Sequence, residues 1–133
     1  MNKKTKATRK ANRKSGKMSR AKGQNGEREA AKLLSALTGI ECRRKVGDSY
    51  RDLGCSDIEI EDASIGWSVE VKRQEKLQLH RWWAQAVRQA LREQRRPLLM
   101  WRQNGKSWTL MYYCNGEPVT SSAEKWAEVM YNA

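Results

Sequence analysis

The spacing of apolar residues predicts alternating helices and strands along the chain. Ala30, Leu33, Leu34 and Leu37 recur at intervals of three and four, which is typical of a helix buried on one face. Gly39 is a suitable residue to end this helix. Three short extended segments, separated by runs rich in Gly, Asp and Ser, are predicted as strands. They span residues 41–46, 55–61 and 67–72.

A second helix is predicted over residues 79–94, and Pro97 ends it and opens a strand at 98–102. The helix has an apolar stripe that we expect to pack against a sheet. The stripe consists of Leu79, Trp83, Ala86, Val87, Ala90 and Leu91.

A hairpin and a short helix follow. Asn104 and Gly105 favour a tight turn, so residues 107–113 are predicted to pair with the preceding strand. Ser121 or Ser122 is a suitable N-cap for a last short helix. The order of elements predicts an α/β domain with a central mixed sheet flanked by helices.

Large aromatic side chains are expected to dominate the core, because the chain has six Trp and four Tyr but no Phe. The tryptophans predicted as core anchors, rather than as platforms for stacking bases, are Trp67, Trp83, Trp101 and Trp108. The aromatic residues predicted to be exposed, and therefore available to an interface, are Tyr50, Trp82 and Trp126.

Residues 1–22 differ in composition from the rest of the chain. They contain ten Lys or Arg residues, no acidic residue, and only Ala and Met as apolar side chains. Such a segment cannot bury enough surface to offset its ordering entropy, so we expect a disordered basic arm at 1–22 and one folded domain at 23–133. The arm carries most of the formal net charge of +12. This favours a polyanionic partner such as nucleic acid, although a solubility or localisation tail is an alternative.

Cysteine and histidine usage narrows the classes of chemistry. The three cysteines form no CxxC pair, which argues against a disulfide framework or zinc ribbon and favours a reducing, cytoplasmic compartment. No run has the character of a signal peptide or membrane span, so we expect no membrane association. Because His80 is the only histidine, HNH-type nuclease sites and His-paired nucleophiles are mostly excluded. Any catalysis would therefore use carboxylates and lysine.

Glu70 and Lys72 share one face of the third strand, because side chains alternate along a strand. An E-x-K triplet alone is weak evidence for a site. Asp57 can lie directly across from Glu70 if the second and third strands form a hairpin, whereas a slip of one residue would separate them. In the aligned register two carboxylates converge beside a lysine, and a divalent cation would relieve their repulsion. Mg²⁺ suits such a site, and the backbone carbonyl of Val71 is a further candidate ligand.

Glu27 adds a third carboxylate, on the first helix. It lies three residues before Ala30, on the face expected to pack against the sheet, so it can point toward the same metal pocket. The alternative is an acidic residue in the first turn of a helix, stabilised by the helix dipole.

Three segments together resemble the PD-(D/E)XK nuclease superfamily: GQNGEREAAKLL, CSDIEI and SVEVKRQ. Within the superfamily, the chain is most similar to archaeal-type Holliday junction resolvases and their phage relatives, over roughly residues 23–113. The motifs are short and degenerate, but their order, spacing and placement on a helix and strands are fairly specific. The resemblance implies a restriction-endonuclease-like αβββαβ core, which is also the order that periodicity predicts.

The resemblance also implies roles for individual residues. Asp57 and Glu70 would bind Mg²⁺, for which Mn²⁺ would substitute, and cleavage would leave a 5′-phosphate and a 3′-hydroxyl. Lys72 would orient or activate the attacking water, and Glu27 would assist metal or water binding. One departure is Ser56, where the family often has proline. It is expected to alter the local backbone rather than to remove a ligand.

Basic residues near these motifs are candidates for binding DNA. One set recurs at helical spacing on the second helix, where it either contacts phosphates or forms a solvated face. Another lies on the first strand and the connection after it, and loops on a rigid scaffold often bind substrates. The candidates are Arg43, Arg44, Lys45, Tyr50, Arg51, Arg73, Arg81, Gln85, Arg88 and Arg92. Gln85 also resembles an accessory glutamine of some relatives.

The leading hypothesis is a Mg²⁺-dependent, structure-selective endonuclease that acts on branched DNA, with four-way junctions as the best single substrate. Symmetric cutting of a junction needs two active sites, which predicts a homodimer. The expected location is the cytoplasm of a bacterial, archaeal or phage-infected host cell, and no small-molecule cofactor is expected. Fold does not fix substrate, so a nuclease of the same fold acting on flaps, ends or duplex remains open. A noncatalytic basic DNA- or RNA-binding protein, such as a ribosome-associated one, is the alternative from another class.

Overall fold

The computed structural model of the chain describes residues 3–46, 56–60 and 66–131. Within these ranges the α/β class and the predicted αβββαβ order are confirmed. No described helix is both long enough and apolar enough to cross a membrane. The elements are α1 (Lys3–Thr38), β1 (Cys42–Arg44), β2 (Ile58–Ile60), β3 (Trp67–Arg73), α2 (Leu79–Glu93), β4 (Arg96–Arg102), β5 (Thr109–Cys114), β6 (Glu117–Ser122), α3 (Ala123–Trp126) and a π-helical turn (Ala127–Tyr131).

Helix α1 extends far beyond the segment that its apolar spacing predicts. Its C-terminal part packs on the core through Ala30, Ala31 and Leu34, and the helix ends before Gly39, whose φ is +72°. Toward the N-terminus it includes residues 3–22, most of which are Lys, Arg and Ala, residues of high helix propensity. The interpretation of residues 1–22 as a basic arm apart from the folded domain stays a prediction.

Strands β3 to β6 form a four-stranded sheet in the order β3-β4-β5-β6. The predicted mixed character of the sheet is confirmed. Strand β3 is parallel to β4, with α2 in the connection between them, and the other neighbours are antiparallel. Strands β1 and β2 form a separate antiparallel pair. This pair meets the main sheet where the N–H of Asp57 donates to the carbonyl of Val69 at 2.8 Å.

The sheet carries a hydrophobic core on each face. The larger core contains the buried residues of α1 and the terminal helical segment, and in it the rings of Trp67 and Trp126 meet edge to face with their centroids 5.4 Å apart. The smaller core lies under α2, where Trp82 packs with Leu99 and Trp101. Burial of large aromatics on both faces fixes α1 and α2 against the strand that carries the E-x-K triplet.

The buried face of α2 is rotated relative to the prediction. Trp82 is buried and Leu91 is 73% exposed, whereas the predicted stripe contained Trp83 and Leu91 but not Trp82. The predicted and observed faces both include Ala86 and Ala90, so spacing alone did not distinguish them. Trp82 is the residue that fits over the sheet, while Trp83 is partly buried against Tyr113.

Two further predictions about aromatic residues are corrected or confirmed by burial. Trp126, predicted to be exposed, is only 1% exposed because it packs on Trp67. Trp67 and Trp101 are core residues as predicted, and Trp108 is partly buried at the edge of the larger core. Tyr50 lies outside the described residues.

Strand β6 is not predicted by the residue pattern of the chain. A two-residue turn of Asn115 and Gly116, with φ values of 54° and 81°, returns the chain along β5. Positive φ at both positions is what a tight hairpin turn of this hand requires. Ser122 then caps α3 as predicted, since its hydroxyl accepts a hydrogen bond from the N–H of Lys125 at 3.1 Å.

Candidate active site

Strand β3 separates a polar face from an apolar one. Val69 and Val71 are buried in the larger core, and Glu70 and Lys72 point to the opposite face. The Lys72 Nζ lies 3.4 Å from the Glu70 Oε1. The Glu70 side chain is only 4% exposed, so strand alternation places an acidic group in the interior beside a lysine.

Asp57 is held beside Glu70 by two hydrogen bonds to β3. Its N–H donates to the carbonyl of Val69, and its Oδ2 accepts from the N–H of Val71, both at 2.8 Å. These two backbone groups flank Glu70 in the strand. These contacts bring Asp57 and Glu70 together, although in the described residues β2 pairs with β1 instead of forming the expected hairpin ladder with β3.

Glu27 reaches the same region from α1. A Cβ added at Gly26 would lie 2.6 Å from the Cβ of Arg73, so the glycine permits α1 to approach β3 closely. Glu27 is 9% exposed, and its Oε2 accepts a hydrogen bond from the Nε of Arg44 at 3.1 Å. The carboxylate is thus directed by a partly buried arginine rather than left in a solvated first turn of a helix.

The two central carboxyl groups have raised pKa values. Burial is the largest cause of the rise in the pKa of Asp57 to about 6, and the charge of Glu27 adds to it. Burial and the neighbouring charge of Asp57 raise the pKa of Glu70 to about 8 against the opposing effect of Lys72. Among the described residues, the buried Oε2 of Glu70 has no hydrogen-bond partner. A carboxylate oxygen in this condition is suited to bind a cation.

These residues line an open cleft of about 800 Å³. Its floor carries the acidic residues and Lys72, and its rim is basic. The site residues that the sequence predicts and that line the cleft are Glu27, Asp57, Glu70, Val71, Lys72, Arg73 and Gln85. The cleft therefore combines acidic groups for a cation with basic groups for an anion.

Three predicted DNA-binding residues of β1 and its end are placed elsewhere. Arg44 is bound to Glu27, and Lys45 donates to the Oγ of Ser56 at 3.1 Å. Arg43 is exposed but lies away from the cleft, near two glutamates at 3.8 Å. The structure thus gives Arg44 and Lys45 internal partners instead of leaving them on a free basic surface, because acidic groups distant in sequence fold next to them.

The basic residues of α2 remain at the surface. Arg81, Arg88 and Arg92 are exposed and do not line the cleft. Their helical spacing places them on the side of α2 that also carries Gln85, which does line it. Tyr50 and Arg51 lie outside the described residues.

Several residues that line the cleft were not predicted as site residues from the sequence. Gln89 is 6% exposed, lines the cleft, and has a buried Oε1 without a hydrogen-bond partner in the described part of the chain. Its signal was available, since it follows Gln85 by one helical turn. The other lining residues that were not predicted are mostly charged. They are Arg20, Lys22, Gly23, Gln74, Glu75 and Lys76.

Within residues 3–46, 56–60 and 66–131, no three His, Cys, Asp or Glu side chains converge as a complete metal-binding set. A cation at this site would consequently be held by fewer side chains together with backbone oxygen, water and substrate. Mg²⁺ characteristically binds in this way, through one or two carboxylates and phosphate oxygens. The donor set of Asp57, Glu70 and the Val71 carbonyl therefore fits this ion.

Comparison with known proteins gives two findings. The model of a family described as "Phage putative PDDEXK endonuclease" matches residues 18–133. The chain is also similar in structure to Hjc from Archaeoglobus fulgidus, described as a Holliday junction resolvase from an archaeal hyperthermophile, with a TM-score of 0.55 and 15% sequence identity. That similarity covers 77% of this chain and 95% of Hjc, and at this identity it supports the fold alone. No curated protein sequence matches the chain.

Proposed function

The chain belongs to the phage PDDEXK endonuclease family, and from this premise we propose that it is a divalent-metal-dependent, structure-selective DNA endonuclease that resolves four-way junctions. The observation that carries the proposal is that the buried carboxylate of Glu70 lacks a full set of hydrogen-bond partners among the described residues. Its carboxylate is buried beside Asp57 and Lys72, has an oxygen without a partner among the described residues, and opens into a cleft with a basic rim.

In the proposed mechanism the acidic residues hold the cation and the phosphate group enters the cleft beside it. Asp57, Glu70 and the carbonyl of Val71 would bind Mg²⁺, with Mn²⁺ as a substitute. When bound, the divalent cation polarises a phosphodiester oxygen, stabilises developing charge and lowers the pKa of a coordinated water. The raised pKa values of the metal-free carboxyl groups are consistent with a site whose charge is completed by a cation.

Lys72 and Glu27 would act on the water and the phosphate. The ammonium group of Lys72 lies near Glu70, and Lys72 lines the cleft. It can therefore orient the attacking water or neutralise charge on the phosphate. Glu27 would assist through a water held in the cleft, and its hydrogen bond to Arg44 fixes the direction of its carboxylate. In-line attack would leave a 5′-phosphate and a 3′-hydroxyl.

The rim and the basic helix would bind the DNA backbone. Arg20 and Lys22 of α1 line the cleft, and Lys22 is held there by an ion pair with Glu75 at 3.0 Å. Residues 3–22 continue from this point as a highly basic helix. Its cations would supply sequence-independent, salt-sensitive attraction, and the exposed arginines of α2 would add to it.

Junction specificity is proposed from similarity to Holliday junction resolvases. The structural relative Hjc is described as such an enzyme, and the sequence motifs resemble the same group. Symmetric cutting requires two active sites, so we propose that the chain acts as a homodimer. We also propose a cytoplasmic location in an infected host cell, where Cys42 and Cys114 would remain the free thiols that the structure contains.

The decisive experiment is a cleavage panel with Mg²⁺ or Mn²⁺ on labelled four-way junction, flap, single-stranded and linear duplex DNA. We expect paired, symmetric incisions in the junction, with loss of cleavage in Asp57→Ala and Lys72→Ala and retention of junction binding in both variants. Preferential cutting of flaps, ends or duplex would overturn the assignment of four-way junctions as the substrate, but it would still support nuclease activity. Binding without metal-supported cleavage of any DNA would overturn the catalytic proposal.

A further inference from the structure

A second buried polar group lies behind the candidate active site. We call it the anchor cluster and define it as Lys45, Ser56, Ser68 and Glu93. The Oε1 of Glu93 accepts from the backbone N–H of Ser56 at 3.1 Å and from the Oγ of Ser68 at 2.7 Å. Its Oε2 accepts from the Oγ of Ser56 at 3.1 Å and lies 3.5 Å from the Nζ of Lys45. One carboxylate thus joins four polar groups of three residues that lie in separate parts of the chain.

The location of Glu93 in α2 is unfavourable for helix energetics. It is the last residue of the helix, where the negative end of the helix dipole disfavours an acidic side chain. Its side chain is only 16% exposed. The hydrogen bonds and ion pair of the anchor cluster offset both costs, which indicates that the carboxylate has a role outside α2.

The partners of Glu93 adjoin both acidic residues of the active site. Ser56 immediately precedes Asp57, and Ser68 lies two residues before Glu70 on the same face of β3. Both serines are 2% exposed. Glu93 therefore links the two chain segments that carry Asp57 and Glu70, without touching the cleft itself.

The backbone of Asp57 depends on this link for part of its support. Its carbonyl accepts from the N–H of Lys45 at 2.9 Å, and its N–H donates to Val69. The N–H of the preceding residue, Ser56, donates a hydrogen bond to the carboxylate of Glu93. The hydrogen bonds of Ser56 to Glu93 restrict the backbone immediately before Asp57.

We propose that Glu93 is a positioning residue that fixes the separation of Asp57 and Glu70 so that both bind one divalent cation. This inference rests on the proposed function. Two like charges separate when nothing holds them, and a metal site requires its ligands to be preorganised. Ser56 and Ser68 transmit the constraint from Glu93 to the two ligands.

The test compares Glu93→Gln with the matched control Glu59→Gln. Glu59 is an exposed residue of β2, two positions after Asp57, and it does not belong to the anchor cluster. Mn²⁺ affinity is measured by isothermal titration calorimetry in the absence of DNA, well below the melting temperature of each variant. We expect Glu93→Gln to weaken Mn²⁺ binding by about 10- to 100-fold, as is usual when a group that orients a ligand is lost, and Glu59→Gln to leave it unchanged.

Kinetics provide a second readout that a purely structural residue would not change. In Glu93→Gln, kcat should fall at low Mn²⁺ and recover at high Mn²⁺, with KM for DNA unchanged. Ser68→Ala, which removes the hydrogen bond of 2.7 Å while leaving Glu93 in place, should show the same pattern to a smaller extent. This variant tests the proposal even if Glu93→Gln fails to fold.

Unchanged Mn²⁺ affinity in folded Glu93→Gln or Ser68→Ala protein would overturn the positioning role. Lower melting temperature without weaker metal binding would overturn it as well. Asp57→Asn separates this result from failure of the proposed function. If Asp57→Asn binds Mn²⁺ as tightly as the unmodified chain, the metal site itself is wrong, whereas loss of binding in Asp57→Asn alone refutes only the role of Glu93.

Discussion

The active-site carboxylates and the anchor cluster are two neighbouring groups of buried polar side chains in which the pKa of the carboxyl group shifts in opposite directions. Burial raises the pKa of Glu70 to about 8, and one of its oxygens has no partner among the described residues. Burial also acts to raise the pKa of Glu93, but hydrogen bonds from Ser68 and Ser56 and the charge of Lys45 outweigh it and lower the value. Burial alone therefore does not determine the state of a carboxyl group. The hydrogen-bond donors and positive charges around the carboxyl group also matter. Glu70, which has fewer of them than Glu93, is the group proposed to bind the cation.

The largest expected difference between the two regions concerns their lysines. Lys72→Ala should lower cleavage by about 100- to 1000-fold, the usual effect of losing a group that stabilises charge in a transition state, with little change in melting temperature. Lys45→Ala should lower the melting temperature by several degrees and retain cleavage within about 10-fold, because Lys45 donates to buried Ser56 and pairs with Glu93. Single-turnover cleavage and thermal denaturation measure both effects. The comparison fails if the two variants behave alike.

Glutamine substitutions should change the stability of the metal-free protein in opposite directions at pH 8.5. Glu70 has a folded pKa above its ordinary value of 4.5, so its stabilising contribution is lost as pH rises through about 8. Glu70→Gln should therefore raise the melting temperature by several degrees, since each unit of pKa corresponds to about 1.4 kcal/mol. Glu93 has a lowered pKa and stabilises the fold above 4.5, so Glu93→Gln should lower the melting temperature.

A thermal denaturation series in EDTA between pH 5 and pH 9 checks these signs. The unmodified metal-free chain should lose stability as pH rises from 5 to 9, and excess Mg²⁺ should reverse the loss. A melting temperature that does not change with pH would contradict the description of Glu70 as a buried carboxyl group that lacks hydrogen-bond partners. A Glu70→Gln variant that is less stable at every pH would contradict it as well.

Metal binding should displace protons from the active site. At pH 7 a carboxyl group with a pKa of about 8 is mostly protonated, so binding of Mn²⁺ should release about one proton. Calorimetry in two buffers with different ionisation enthalpies measures this number. Release should approach zero near pH 9. Equal enthalpies of Mn²⁺ binding in the two buffers at pH 7 would show that Glu70 is already ionised before the metal binds.

The smallest expected effect concerns the two glutamines of α2. Gln89 is buried with an unpartnered oxygen at the cleft, whereas Gln85 is only partly buried. If Gln89 orients a water in the incomplete site, Gln89→Leu should lower kcat by about 10-fold with an unchanged fold. Gln85→Leu is the matched control and should change kcat by less. A larger loss in Gln85→Leu would favour Gln85, the residue predicted from the sequence, as the accessory glutamine.

The sequence was most informative where the relevant contacts are local. Strand alternation was sufficient to place Glu70 and Lys72 on one face, and the short chain between β2 and β3 made the register of Asp57 a choice between two options. The cap at Ser122 and the end of α1 at Gly39 also follow from their immediate neighbours. These features depend on a few adjacent residues and on backbone geometry alone.

The sequence was least informative where partners are distant. Ser56 and Glu93 are 37 positions apart, and Arg44 and Glu27 are 17 apart, so no periodic pattern connects them. The rotation of α2 was decided by whether Trp82 or Trp83 fits over the sheet, which depends on the shape of the opposite surface.

Strand β6 has a consequence for how copies of the chain can associate. Glu117 closes the two-residue turn opposite Cys114, so Pro118 occupies the next position, where backbone N–H groups face away from β5. Proline has no N–H to offer there. The outer edge of β6 therefore lacks one hydrogen-bond donor at this end, where a strand from another molecule would otherwise pair with it. A second copy that continued the sheet along β6 would have to pair without that hydrogen bond.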